Sequence, residues 1–310
     1  MKILFIGRGA IGTQYAWAFE DAGHTVEFYV REGRKAQYGS QVNLEILDTR
    51  RSKKDRLVKE KWPIVTHEEI AEHHDYDLIF VSANPEQVSS VVKYIAPRVG
   101  NATVLLIGNF WHDIQKSVHP LPLSQVVWGF PGCGGGFEGN TLYGGLYKTV
   151  HFGTFESEPT RRDLEVHKLF TGAGFKIVVH RDFQSWLMNH YISNAAMEVE
   201  VLKSGSFKKV ISSPEALAGF ARNIKEMVPV LKAKSIKLDV MIKVLSSLPP
   251  RVVGFLMSNL VYSPKSMPYE LQSHNHYKVG YAVQEVLSEA RKHGVSTPRL
   301  YEVESLITEQ

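Results

Sequence analysis

The hydrophobic positions in the first third of the chain follow the pattern of a layered sheet and helix. Residues 2–6 form an apolar strand, residues 10–22 place apolar side chains at helical spacing, and residues 25–30 predict a second strand. Residues 77–83 and 103–108 are short continuous apolar runs. Such runs are typical of strands covered on both faces, so the pattern predicts a parallel sheet.

The connecting segments extend this architecture. Residues 85–95 predict a helix with Pro85 in its first turn, and residues 161–173 predict another, followed by a strand at 175–180. The glycine-rich region 126–155 predicts strands and turns that add hairpins to one edge of the sheet. The expected fold class is therefore α/β, with a parallel sheet, covering helices and added edge hairpins.

Strand patterns end at Phe183, and helical patterns fill the rest of the chain. The last of these predict helices over 278–293 and 298–308. We therefore expect two domains, an α/β domain over 1–181 and an all-α domain over 182–310.

Composition narrows the class of protein. The 310 residues carry a net charge of +4, and the basic residues are dispersed along the chain, so neither nucleic acid nor membrane is an expected partner. No apolar run is as long as about twenty residues, the length that a membrane span needs. The single cysteine, Cys133, allows no intrachain disulfide, so a cytoplasmic location is expected.

The most specific motif lies between the first strand and the first helix. Gly7 allows a sharp turn, Gly9 allows the backbone to approach a pyrophosphate, and Gly12 allows close packing of helix and strand. The amino terminus of the helix then faces the phosphates. The α/β domain over 1–181 is therefore predicted to be a Rossmann-type dinucleotide-binding domain. The predicted cofactor-binding positions of this motif are Gly7, Arg8, Gly9, Ala10, Ile11 and Gly12.

The end of the second strand indicates which dinucleotide is preferred. Arg31 stands where NAD sites usually carry an acidic residue, and its guanidinium matches a 2′-phosphate. The cofactor prediction is therefore NADP(H). Glu32 is the competing detail, because it could reach a ribose, and Arg31 with Arg34 and Lys35 could also form an ordinary solvated loop.

Further candidates stand at the carboxyl ends of the predicted parallel strands, where such sheets bind ligands. Ser82 and Asn84 follow one strand and Asn109 follows another. We predict that all three contact the cofactor. Asn84 has an alternative role as a turn residue before Pro85.

Several of these landmarks resemble the ketopantoate reductase family, in that family's order and across nearly the whole length. The glycine motif with Arg31, the strand ending in Asn109, the Ser266-Met267 pair followed by Glu270, and the closing segment from Gly294 to Pro298 carry the resemblance. It implies a catalytic cleft between two domains, the use of NADPH to reduce a 2-keto acid to a 2-hydroxy acid, and substrate contacts from Ser266 and Glu270. A homodimer is expected by the same analogy.

The resemblance fails where the family carries its catalytic lysine and, one helical turn later, a further polar residue. In an alignment without a gap these two positions are Met188 and Ile192, which cannot transfer a proton. A two-residue shift instead gives His190, Asn194 and Glu198, a polar row at helical spacing. We interpret His190 as the general acid, Asn194 as a substrate-orienting residue and Glu198 as a substrate contact, with an ordinary solvated face as the alternative.

A second departure concerns charge. The position of the family's substrate-binding glutamate is occupied by Lys278, which could replace the missing ammonium or indicate another substrate. The predicted catalytic set is His190, Asn194, Asn109 and Lys278. No metal is predicted. The chain is thus expected to reduce a small keto acid with NADPH, the alternatives being reduction of another carbonyl or an imine, or NADP(H) binding without turnover.

Overall fold

The computed structural model describes residues 1–112, 114–154, 158–264 and 266–308. The chain divides into two compact units, Met1–Phe183 and Gln184–Gln310. The division falls just beyond Arg181, near which the sequence analysis placed the domain boundary.

The first unit contains an eight-stranded main sheet in the order β12-β11-β8-β7-β6-β1-β2-β5. Its strands are β1 (Lys2–Ile6), β2 (Thr25–Tyr29), β5 (Thr66–His67), β6 (Leu78–Val81), β7 (Thr103–Ile107), β8 (Val126–Phe130), β11 (Thr149–Gly153) and β12 (Lys176–His180). All neighbours are parallel except β8 and β11. Because β1 lies between β2 and β6, the sheet grows in opposite directions from it, which creates the topological switch point of a Rossmann fold.

The helices of this unit are α1 (Ala10–Asp21), α2 (Arg34–Tyr38), α3 (Pro85–Ile95), α4 (Ile114–Ser117) and α5 (Arg161–Gly172). Both β6 and β7 are buried along their whole length, as their continuous apolar runs predicted. The predicted α/β class is confirmed.

A second sheet of four strands, in the order β4-β3-β10-β9, was not expected. Its strands are β3 (Gln41–Asp48), β4 (Leu57–Pro63), β9 (Cys133–Glu138) and β10 (Thr141–Leu146). The predicted edge additions therefore divide between two sheets, since β11 extends the main sheet whereas the β9–β10 hairpin pairs with β3. The last residue of that predicted region, Phe155, lies outside the described residues.

Helix α1 contacts both sheets, which explains the glycines of β9 and β10. The Gln14 amide donates to the carbonyl of Gly134 over 3.1 Å. A Cβ added to Gly144 would lie 2.5 Å from that same carbonyl oxygen and 3.2 Å from the Gln14 amide. Glycine is needed there because backbone and helix approach too closely for a side chain.

The second unit is helical. Its helices are α6 (Phe183–Ser204), α7 (Phe207–Ile211), α8 (Pro214–Ala233), α9 (Val240–Ser247), α10 (Pro250–Leu256), α11 (Met267–Ser273), α12 (Tyr281–Lys292), α13 (Pro298–Tyr301) and α14 (Glu304–Thr308), with α6 beginning at the unit boundary. One continuous helix over 298–308 was wrong, because the chain turns at Glu302 and Val303 between α13 and α14.

The region from α9 to Val261 exposes unusually many apolar side chains. Val240, Phe255 and Leu260 are 76%, 63% and 72% exposed. Within the described residues, no single helix has the length and apolar character of a membrane span, although Val240–Ser247 and Pro250–Val261 pass that test together as a pair bent by 119°.

Candidate functional site

The glycine loop, residues 7–12, leaves the carboxyl end of β1 in the conformation that the motif predicted. Gly7 has a positive φ of 82° and donates its N–H to the carbonyl of Tyr29 over 2.8 Å. A Cβ added to Gly12 would lie 3.1 Å from Ser82 Oγ. The loop therefore connects the ends of β1, β2 and β6 at the switch point.

The amino terminus of α1 fits the pyrophosphate of a dinucleotide. Gly9 is the N-cap, so no side chain caps the helix, and the first turn has no acidic residue. A Cβ added to Gly7 or Gly9 would meet nothing within 4 Å. Open space thus lies beside uncapped N–H groups, which favour an anion.

The Arg31 loop, residues 31–40, follows β2. Arg31 and Glu32 are both exposed, and neither side chain has a hydrogen bond or an ion pair within the part of the chain that the structure describes. Arg34, in contrast, donates to Gln37 Oε1 over 2.5 Å. The guanidinium of Arg31 is therefore available to a ligand, and the carboxylate of Glu32 is equally available.

Polar residues follow the neighbouring strands β6 and β7. Asn84 is the N-cap of α3 but makes no side-chain capping bond. Both polar atoms of the Asn109 amide are buried, and among the described residues neither has a hydrogen-bond partner. A buried amide without partners costs about 1–3 kcal/mol, so Asn109 has the character of a group that a ligand completes.

Arg8 is placed differently from the rest of the glycine loop. Its guanidinium lies 4.4 Å from the ring centroid of Tyr38 and 4.5 Å from that of Phe137, and it donates to Asn140 Oδ1 over 2.7 Å. Sequence reasoning missed these partners, which no local pattern links to position 8. The side chain of Arg8 is thus engaged by protein.

In the second unit, α6 also carries polar residues outside the predicted row, and these are buried. Asn189 is 1% exposed, and its amide donates to the carbonyls of Ser185 and Lys237 and accepts from the N–H of Asp239. Glu200 is also buried and accepts from Asn223 and Arg299. A helical projection could not reveal this, because both faces of α6 are covered and its polar groups bind neighbouring segments.

Glu198 has a structural role that the substrate prediction did not include. It is 3% exposed, and its Oε2 accepts from the N–H groups of Gly280 and Ala282, over 2.9 and 3.1 Å, at the start of α12. Burial raises the pKa of Glu198 to about 7, although these N–H groups and Tyr277 oppose the rise. The carboxyl group therefore caps α12 and is withdrawn from solvent, and its substrate contact stays a prediction.

The other predicted residues of this unit differ in availability. Ser266 is the N-cap of α11, with its hydroxyl accepting from the N–H of Tyr269 over 3.2 Å and donating to the carbonyl of Val261 over 2.7 Å. Glu270 lies in the first turn of the same helix, and Lys278 is exposed before α12. His190 and Asn194 are half-buried on α6, with the ring of His190 stacked on Trp186 at 5.8 Å.

The chain matches the models of a known protein family in both units. The family described as ketopantoate reductase PanE/ApbA matches residues 3–156, and its C-terminal domain matches residues 182–309. The chain therefore belongs to the ketopantoate reductase family, and the resemblance seen in the sequence is confirmed. A search of curated proteins found none with significant similarity to this chain.

Solved structures agree on the fold. A PanE/ApbA family ketopantoate reductase from Ralstonia eutropha has a TM-score of 0.73 at 14% identity, covering 100% of this chain and 98% of that one. D-mandelate dehydrogenase with NADH and anilino(oxo)acetate gives 0.72 at 16%, covering 100% and 97%. A dimeric ketopantoate reductase from Staphylococcus aureus gives 0.70 at 13%, covering 100% and 98%.

Fold and family together define the class of protein as a nicotinamide-dependent oxidoreductase of the 2-keto acid reductase type.

Proposed function

We propose that this chain is an NADPH-dependent reductase that converts a 2-keto acid into a 2-hydroxy acid. The observation that carries the proposal is the guanidinium of Arg31, which has no hydrogen bond or ion pair among the described residues, near the amino terminus of α1, which no side chain caps. A 2′-phosphate would give this guanidinium charge-assisted hydrogen bonds, while the N–H groups of α1 would hold the pyrophosphate.

Coenzyme preference is tested by titrating the variant Arg31→Met with NADPH and NADH. We expect the Kd for NADPH to rise about 30-fold, as expected for loss of a charge-assisted bond, while the Kd for NADH changes little. Arg34→Met is the matched control, because Arg34 donates to Gln37. An effect of Glu32→Gln on NADH binding larger than that of Arg31→Met on NADPH would instead favour NAD(H).

For the chemistry, a bound NADPH would supply the hydride. Asn109 would donate its amide N–H to the substrate carbonyl, since its amide lacks a partner among the described residues. His190 or Lys278 would then donate a proton to the alkoxide oxygen, and Asn194 would orient the substrate. Ser82, Asn84 and the backbone of Ala10 and Ile11 complete the proposed cofactor contacts, with Ser266 and Glu270 proposed at the substrate.

The two proton donors are separated by mutation. If His190 is the acid, His190→Gln lowers kcat at least tenfold while Lys278→Gln mainly raises KM for the keto acid. The reverse pattern would assign the proton to Lys278. Unchanged kinetics in both variants would contradict both assignments.

A different carbonyl or an imine is the second candidate substrate. It is favoured by Met188, which stands at the family's lysine position in the ungapped alignment and is 6% exposed, so it offers no proton-transferring group. The rate of NADPH oxidation is measured with ketopantoate, other 2-keto acids, aldehydes and imines. Turnover of 2-keto acids supports the first candidate substrate class, and turnover of only the aldehydes or imines supports the second. Tight NADPH binding without turnover of any member would indicate a binding protein.

We also propose a homodimer, as in the dimeric relative. The apolar surface of α9 and α10 supports it, because Val240 and Phe255 are 76% and 63% exposed there, and clustered exposed apolar side chains are typical of protein interfaces. Light scattering should show Phe255→Glu to be monomeric and Leu164→Glu, an exposed position on α5, to stay dimeric. A monomeric wild type would contradict the proposal.

The expected cytoplasmic location stays a prediction.

A further inference from the structure

We propose that Arg8 is a positioning residue that joins the glycine loop to the Arg31 loop and thereby sets the preference for NADP(H) over NAD(H). The inference rests on the proposed function, because it assumes that these two loops hold the coenzyme. It assigns Arg8 a role beyond the backbone contact predicted from the motif.

The first observation is the burial of a charged side chain inside a glycine loop. Arg8 is 8% exposed, and burial lowers the pKa of its guanidinium. Within the described residues, no carboxylate forms an ion pair with it, and its buried Nε has no hydrogen-bond partner. Burying a cation is costly without compensation, so its remaining contacts must hold it in place.

Those contacts are two aromatic rings and one amide. Tyr38 and Phe137 lie on the guanidinium at 4.4 and 4.5 Å from their centroids, and Asn140 Oδ1 accepts a hydrogen bond of 2.7 Å. A planar guanidinium suits this arrangement, because it stacks on rings while its edge donates hydrogen bonds.

The three partners belong to different segments of the unit. Tyr38 ends α2 in the Arg31 loop, Phe137 lies in β9, and Asn140 lies in the β9–β10 turn. Asn140 is itself fixed by two hydrogen bonds. Its side-chain amide donates to the backbone carbonyl of Gln41 over 2.8 Å, and its own backbone carbonyl accepts from the N–H of Asn43 over 3.1 Å. Arg8 therefore attaches the glycine loop to the second sheet.

The contact with Tyr38 links this attachment to Arg31. Helix α2 has only five residues and follows Arg31 after a turn at Gly33, where φ is 76°. A helix so short depends on tertiary contacts, because its nucleation is unfavourable. At its start the N–H of Lys35 is bound by Glu68 Oε1 at 2.8 Å, and at its end Tyr38 stacks on Arg8. Without the stack, the loop that carries Arg31 loses its attachment to the glycine loop.

The test is the ratio of NADH to NADPH dissociation constants in Arg8→Met and Tyr38→Leu, measured on the full chain by calorimetry. We expect each variant to weaken NADPH binding about tenfold, within the range of a desolvated cation–π contact, and to leave NADH binding within about threefold. Tyr38→Phe retains the ring and should keep the wild-type ratio. The double variant Arg8→Met/Tyr38→Leu should be no weaker than either single variant.

Arg51→Met is the control for coenzyme affinity, because Arg51 lies 5.1 Å from the ring of Trp17 and pairs with Asp48 and Asp21 rather than with the Arg31 loop. A purely structural role would lower the thermal midpoint or weaken the binding of both coenzymes equally, which leaves the ratio of their dissociation constants unchanged. An unchanged ratio therefore overturns the proposal. If Arg8→Met does not fold, Tyr38→Leu decides alone. A wild type that binds neither coenzyme contradicts the proposed function itself, whereas a wild type that prefers NADPH with insensitive variants contradicts only the role of Arg8.

Discussion

Polar side chains at the glycine-loop end of the first unit and on helix α6 of the second unit differ in whether they have hydrogen-bond partners. Beside the glycine loop, Arg31 has no hydrogen bond or ion pair and Asn109 no hydrogen bond among the described residues. On α6, Asn189, Glu198 and Glu200 are all buried and hydrogen-bonded to neighbouring segments.

The difference separates groups available for binding from structural groups. A buried polar group with partners stabilises the fold, whereas a buried polar group without partners lowers stability and is a candidate for binding a ligand. Removing the first kind should destabilise the protein, and replacing the second kind with an apolar side chain should stabilise it. The predictions below test that contrast.

The largest effect is expected at Glu200. It accepts from Arg299 and Asn223, with only 8% of its side chain exposed. Glu200→Ala leaves Arg299 without its carboxylate and should cost about 3 kcal/mol, measured by urea unfolding, without changing NADPH affinity. Glu215→Ala is the control, because Glu215 pairs with Arg222 while 72% of its side chain is exposed. Loss of this pair should cost under about 1 kcal/mol. Equal losses would contradict a structural role for Glu200.

Glu198 should make stability depend on pH. Burial raises its pKa from 4.5 to about 7, so its favourable contribution is complete below pH 4.5 and is lost as pH rises through 7. Glu198→Gln stays neutral and should gain about 3 kcal/mol relative to wild type between pH 4.5 and 8. Unfolding midpoints across this range measure the gain, and parallel curves for the two proteins would refute it.

Asn109 should show the opposite sign. Asn109→Leu removes an amide without partners among the described residues and should stabilise the unliganded protein by about 1 kcal/mol while lowering turnover with NADPH. Asn101→Leu, at an exposed position just before β7, is the control and should be nearly neutral. A destabilised Asn109→Leu with normal turnover would show that the amide serves the fold.

The smallest effect concerns Ser266. Its hydroxyl caps α11, so Ser266→Ala should cost about 0.5–1 kcal/mol and Ser266→Asn should restore most of it. Thermal unfolding gives the cost. A normal midpoint with a raised KM for the keto acid would instead assign the hydroxyl to substrate.

The sequence predicted the features that depend on local pattern. The strand at residues 2–6, the turn at Gly7 and the helix at 85–95 follow from apolar spacing and from residues with fixed backbone preferences. The position of Arg31 after β2 follows from the same local order.

What could not be predicted depends on residues far apart in the chain. The second sheet pairs Asn43 with Thr141, and Arg8 reaches Phe137 and Asn140. On α6, a helical projection identifies which residues share a face but not what covers that face, so the buried capping role of Glu198 was not visible. For the same reason the proton donor stays a proposal.

Arg31 and Asn109, which have no hydrogen-bond partners among the described residues, are proposed to bind NADP(H). Isothermal titration of the wild-type chain with both coenzymes gives the decisive result. We expect one NADPH bound per chain, at least about tenfold tighter than NADH, which corresponds to about 1.4 kcal/mol. No heat with either coenzyme, or equal affinity for both, would contradict it.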